Sequence, residues 1–69
     1  MEETCYLVEL EGLTFYRHPD GQFGSCTFTD PKAIHCRTMP EAIDLLKEVA
    51  KAAPWTKDRM AIVEHMFNN

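Results

Sequence analysis

Over residues 5–10 apolar and polar side chains alternate, which sets Tyr6, Val8 and Leu10 on one face of an extended segment and Cys5, Leu7 and Glu9 on the other. This is a strand. Glu11-Gly12 separates it from Leu13-Thr14-Phe15-Tyr16-Arg17, and a two-residue connection sets Leu10 opposite Leu13, Val8 opposite Phe15 and Leu7 opposite Tyr16. Tyr6, Val8, Leu10, Leu13 and Phe15 then gather on a core face, and Leu7, Glu9, Thr14 and Tyr16 on an open one. Glu is not the usual first residue of so tight a turn, so a bulge could shift the register.

His18-Pro19-Asp20-Gly21 is the strongest turn signal, because Pro presets φ, Asp bonds locally and Gly accepts positive φ. The return strand, residues 22–29, holds Phe23, Cys26 and Phe28 at a spacing that breaks alternation. A bulge at Gly24-Ser25 would let both Phe23 and Phe28 reach the core. Thr29-Asp30-Pro31 resembles a helix start, but only Lys32-Ala33-Ile34-His35 follows, so a short helical turn is expected.

Thr38-Met39-Pro40-Glu41 is a capping box, in which the Thr38 hydroxyl and the Glu41 carboxylate each accept from an exposed backbone amide of the first turn. Ala42, Leu45, Leu46, Val49, Ala50 and Ala53 then form one apolar stripe, with Glu41, Asp44, Lys47, Glu48 and Lys51 toward water. Pro54 ends this helix. Residues 60–67 read either as a strand or as a second helix capped by Thr56. A strand is favoured, since Ile62-Val63 added to the sheet extends it under the helix. The expected fold is α+β, a small antiparallel sheet in the order β-β-β-α-β with one long helix on one face.

A chain of 69 residues hides only about 60% of its unfolded surface, so residues 1–69 are expected to build one small domain. No apolar run approaches the roughly 18 residues needed to cross a bilayer, and Met1-Glu2-Glu3 lacks the basic opening of an export signal. The net charge of −4, with Lys and Arg dispersed, works against phosphate-backbone binding, and no direct nucleic-acid ligand is expected. Glu2, Glu3, Glu9 and Glu11 lie close together, and would favour a basic partner surface if they are more than a solubilising fringe.

Cys5, Cys26 and Cys36 cannot all pair and lack C-x-x-C spacing, which suits a reducing cytosol. A metal site built from Cys26, His35 and Cys36 with one further ligand is an alternative reading, set against small buried thiols. Gly12, Gly21 and Gly24 sit in or beside hairpins, so no phosphate loop is formed. His35 and Cys36, as neighbours on an extended segment, point apart and cannot act as base and nucleophile. Glu9 and Glu11 share a strand face, but a chain this small offers little depth to raise a carboxyl pKa for acid-base work. No cofactor, metal or enzymatic activity is expected.

The strand YLVEL, the hairpin FYRHPDGQF, the segment FTDPKAIHCRTMPEAIDLL and the closing AIVEH resemble the layout of small phage and prophage accessory proteins. That resemblance implies a β-β-β-α-β domain in a bacterial cytoplasm, among proteins that act by binding a host protein, including inhibitors of bacterial defence complexes. The function expected is therefore a non-enzymatic protein-binding module that blocks a basic, nucleic-acid-binding surface of a bacterial complex. Leu7, Glu9, Glu11, Tyr16 and Trp55 are the expected contact residues, with Tyr16 and Trp55 as aromatic anchors. Packing of Leu7 and Tyr16 against a second copy, which would make the protein a homodimer rather than a monomer, is a further alternative.

Overall fold

The computed structural model describes residues 2–68. Strand β1 (Glu2–Leu10) turns into β2 (Leu13–Arg17), β2 into β3 (Phe23–Cys26), and a long connection leads to helix α1 (Met39–Ala52). A 3₁₀ turn (Pro54–Thr56) then delivers the chain to β4 (Met60–Asn68). All pairings are antiparallel and the sheet order is β3-β2-β1-β4. The architecture is the expected α+β, and residues 60–67 are indeed a strand. β4 pairs with β1 along its whole length, from Glu2 opposite Asn68 to Leu10 opposite Met60.

Helix α1 begins where its cap requires. The Thr38 hydroxyl accepts from the Glu41 amide, while the Glu41 carboxylate reaches back to the amide of Arg37 rather than that of Thr38. Ala42, Leu45 and Val49 are its buried stripe, packed with Val8, Phe15 and Cys36 into the main core. Met60 and Ile62 of β4 close this core from one side and Phe23 of β3 from the other, the latter meeting Phe15 edge to face at 6.5 Å.

Three local expectations are corrected. The β2–β3 ladder runs without a break from Thr14 opposite Cys26 to Arg17 opposite Phe23, so no bulge exists at Gly24-Ser25. Gly24 serves the packing instead: a Cβ there would lie 2.5 Å from the Tyr16 ring, which rests directly on this glycine. The strand ends at Cys26, and Phe28 lies in the following connection, away from the helix-side core. Around Lys32 the chain makes successive tight turns, with Ala33 donating to the Asp30 carbonyl and Lys32 to the Asp30 side chain, and no helical turn forms.

The hairpin register is as expected only at its turn. Leu10 faces Leu13 and Glu9 faces Thr14, but beyond these pairs β2 peels away from β1. The wedge is filled by the connection after β3. Ile34 donates to the Phe15 carbonyl of β2, and Cys36 exchanges two hydrogen bonds with Tyr6 of β1, at 2.7 and 3.0 Å. Thr14, fully buried at the branch, donates its hydroxyl to the Val8 carbonyl at 2.8 Å, supplying the donor that the lost ladder would have provided. The connection therefore crosses the sheet face opposite α1 and regains the helix side through this gap. That face is covered rather than open: Cys5, Leu7, Cys26 and Ala33 form a second buried cluster, with Tyr16 and Phe67 packed against it.

Candidate interaction surface

The five expected contact residues do not form one patch. Leu7 is wholly buried in the second cluster, so neither partner contact nor self-association can run through it. The cause is residues 27–37, which occupy the face that alternation had left to solvent. Tyr16, half-buried on the same face, has Lys32 over its ring at 4.7 Å and His18 against its edge.

Glu9 is largely enclosed. Its carboxylate meets His65 Nε2 at 2.5 Å, and the imidazole stacks on Phe28 with ring centroids 4.2 Å apart and nearly parallel planes. Phe67, beside His65 on β4, carries His35 against its ring at 4.7 Å. Antiparallel pairing explains the assembly, because odd-numbered residues of β1 and β4 share the face that the connection covers. Neither His65 nor Phe28 is among the contact residues expected from the sequence. Alternation in β4 does place His65 on a face with Val63 and Phe67, but nothing in the sequence joins it to Glu9.

Two further N-terminal carboxylates, Glu3 and Glu11, are also engaged. Glu3 pairs with Arg37 at 3.0 Å, and Glu11 with Arg59. Glu11 has φ of +52°, next to Gly12 at +83°, so a non-glycine residue takes the left-handed region at a cost on the order of 1 kcal/mol. The unusual turn residue thus brings a carboxylate to Arg59. The guanidinium of Arg59 in turn lies over the Trp55 ring, 5.6 Å from its centroid. Glu11 and Trp55 are therefore joined through Arg59, which carries no sequence signal of its own.

Trp55 stands in the 3₁₀ turn that Pro54 starts, and 65% of its surface is exposed. Beneath it lies a groove of about 400 Å³ between the end of α1 and the β2–β3 hairpin. Leu10, Phe15, Phe23, Val49 and Ala52 supply its apolar lining, and Gln22 and Thr56 polar groups. It exists because α1 lies across β1 and β4 and leaves the β2–β3 end of the sheet only partly covered.

The thiols do not assemble into a site. Cys5, Cys26 and Cys36 are free and buried. Cys26 belongs to the second cluster and Cys36 to the helix-side core, while His35 is exposed, so the metal set considered from sequence is not brought together. Among the described residues no group of three or more His, Cys, Asp or Glu side chains could hold a metal ion. Burial pushes the Cys26 thiol above its ordinary pKa, with Asp30 adding to the effect. Burial does the same to Cys36, assisted by Glu41 and Cys5. Both thiols favour the protonated, weakly nucleophilic form. Among the described residues no helix is long and apolar enough to cross a membrane. No protein family, curated protein or solved structure matches the chain.

Proposed function

We propose that this chain is a small non-enzymatic protein-binding module whose contact surface is the groove anchored by Trp55. The observation that carries this reading is an indole two-thirds exposed at the mouth of an apolar groove, held there by Arg59. A large amphipathic ring beside a concave apolar surface is the arrangement that concentrates binding energy in protein interfaces. The net charge of −4 supports a partner with a basic surface, acting through the field of the whole chain. Glu3, Glu9 and Glu11 have partners within the chain, so they do not make a free row of phosphate mimics.

Blockade of a basic, nucleic-acid-binding surface in a bacterial complex is the role we propose for such a module, on the strength of the net charge and of the likeness to phage accessory proteins. The test is capture from a bacterial lysate with immobilised wild-type chain and Trp55→Ala, the fold of each checked by circular dichroism. Wild type retains a defined protein, and Trp55→Ala loses it through a deficit of about 2 kcal/mol or more. Equal retention by both chains would refute the groove. A captured protein that still binds nucleic acid when saturated with this chain would refute the inhibitory role.

A further inference from the structure

The two edges of the sheet differ in how they are guarded. Edge strand β3 has four residues, one of them Gly24. Edge strand β4 has nine, and Met60-Ala61-Ile62-Val63-Glu64-His65-Met66-Phe67-Asn68 contains no Pro, Gly or Lys. Long unprotected edges are templates for further strand pairing.

The register fixes which groups this edge presents. Tyr6 exchanges its hydrogen bonds with Cys36, away from β4, so Glu3, Cys5, Leu7 and Glu9 are the β1 residues that bond toward β4. Their partners are Phe67, His65, Val63 and Ala61. The amides and carbonyls of Met60, Ile62, Glu64 and Met66 therefore point outward, free of any strand among the described residues.

An apolar strip runs beside this edge. On α1, Glu48 reaches Arg17 of β2 and Ala52 lines the groove near Phe23, which identifies the flank turned toward β2 and β3. At 100° per residue, Met39 and Ile43 fall on the opposite flank, toward β4. They are 42% and 40% exposed, and Met66, on the helix side of β4, is 63% exposed.

We propose that β4 is a homodimer interface, in which two copies pair their β4 strands antiparallel about a two-fold axis at Val63 and continue the sheet from one protomer into the other. This register is self-complementary. Outward-pointing Met60 faces Met66 of the second copy and Ile62 faces its Glu64, so no like charges stand directly opposite. The four outward residues of each strand exchange about eight N–H···O=C bonds. The two α1 helices come onto the same side of the joined sheet, where Met39, Ile43 and Met66 of each protomer lose solvent. A second copy meets both requirements at once, an edge of equal length and a matching apolar strip. The interface lies at the opposite end of the sheet from the Trp55 groove and does not depend on that reading.

The test is sedimentation of the purified chain from about 1 to about 100 μM, a range that brackets association free energies near −7 kcal/mol. Wild type shows a concentration-dependent dimer. Glu64→Pro removes one outward N–H without touching the pairing to β1, since proline is tolerated on the free side of an edge strand. It is monomeric throughout, with an unchanged circular dichroism spectrum. Ile43→Lys combined with Met66→Lys, at exposed positions that do not disturb the core, weakens the dimer at least tenfold and serves if the proline variant fails to fold. A wild-type monomer at the highest concentration overturns the proposal, as does a folded proline variant that still dimerises or a folded double-lysine variant that dimerises as tightly as wild type.

Discussion

The face of the sheet under α1 is closed by a regular amphipathic element, whereas the opposite face is closed by residues 27–37, which have no repeating conformation. Under the helix the contacts are periodic, from Ala42, Leu45 and Val49 of α1 against Val8 and Phe15 of the sheet. Under the connection they are small and mixed, with thiols and Ala33 close to the strands and Phe28 stacked on His65 at the margin. A segment without periodicity can cover a sheet when each of its few contacts is specific: Ile34 and Cys36 are tied to the strands by backbone bonds, Phe28 by its ring. The helix face is therefore expected to accept exchange of one aliphatic group for another more readily than the connection face.

That contrast can be broken most directly at Leu7. Leu7→Ala leaves a cavity in the second cluster and costs about 2–5 kcal/mol in chemical denaturation, as large a loss as a core leucine under the helix would give. A loss below about 1 kcal/mol would mean that the connection is not a true second cover. Next is Thr14, at the branch where β2 leaves β1. Thr14→Val keeps the shape but leaves the Val8 carbonyl without its donor, a cost of about 1–3 kcal/mol, and Thr14→Ser recovers most of it.

The smallest effect is alkaline. Cys26 and Cys36 have folded-state pKa values raised above the ordinary 9.0, so the stability they contribute is complete below that value. It is lost as pH rises from there through the folded-state values, because the unfolded thiols ionise first. Thermal denaturation between pH 8 and 10 should show this decline, and Cys36→Ala should reduce it; an unchanged slope in that variant would remove Cys36 as a source.

Much of the frame was legible. The Thr38 and Glu41 signal placed α1, and alternation placed β1, β2 and β4, since these follow from local backbone chemistry and face periodicity. The covered second face was misread because a polar-looking set, Leu7 with Glu9, Thr14 and Tyr16, satisfies the rule for a solvated side. One signal was present: Leu7 and Val8 are consecutive and both apolar, as in strands buried on two sides. The pairings of Glu9 with His65 and of Glu11 with Arg59 had no such signal, because each joins residues far apart in sequence.

The full-length pairing of β1 with β4 sets the order in which this molecule can be completed. β1 leaves the ribosome well before the strand that gives it its longest ladder, so Leu7 and Val8 wait for Val63 and Ile62 across almost the whole chain. Contacts of such separation are entropically late and slow folding. During that interval β1 is open to pairing with other nascent chains, and shortening the C-terminal segment would leave it in that unfinished condition.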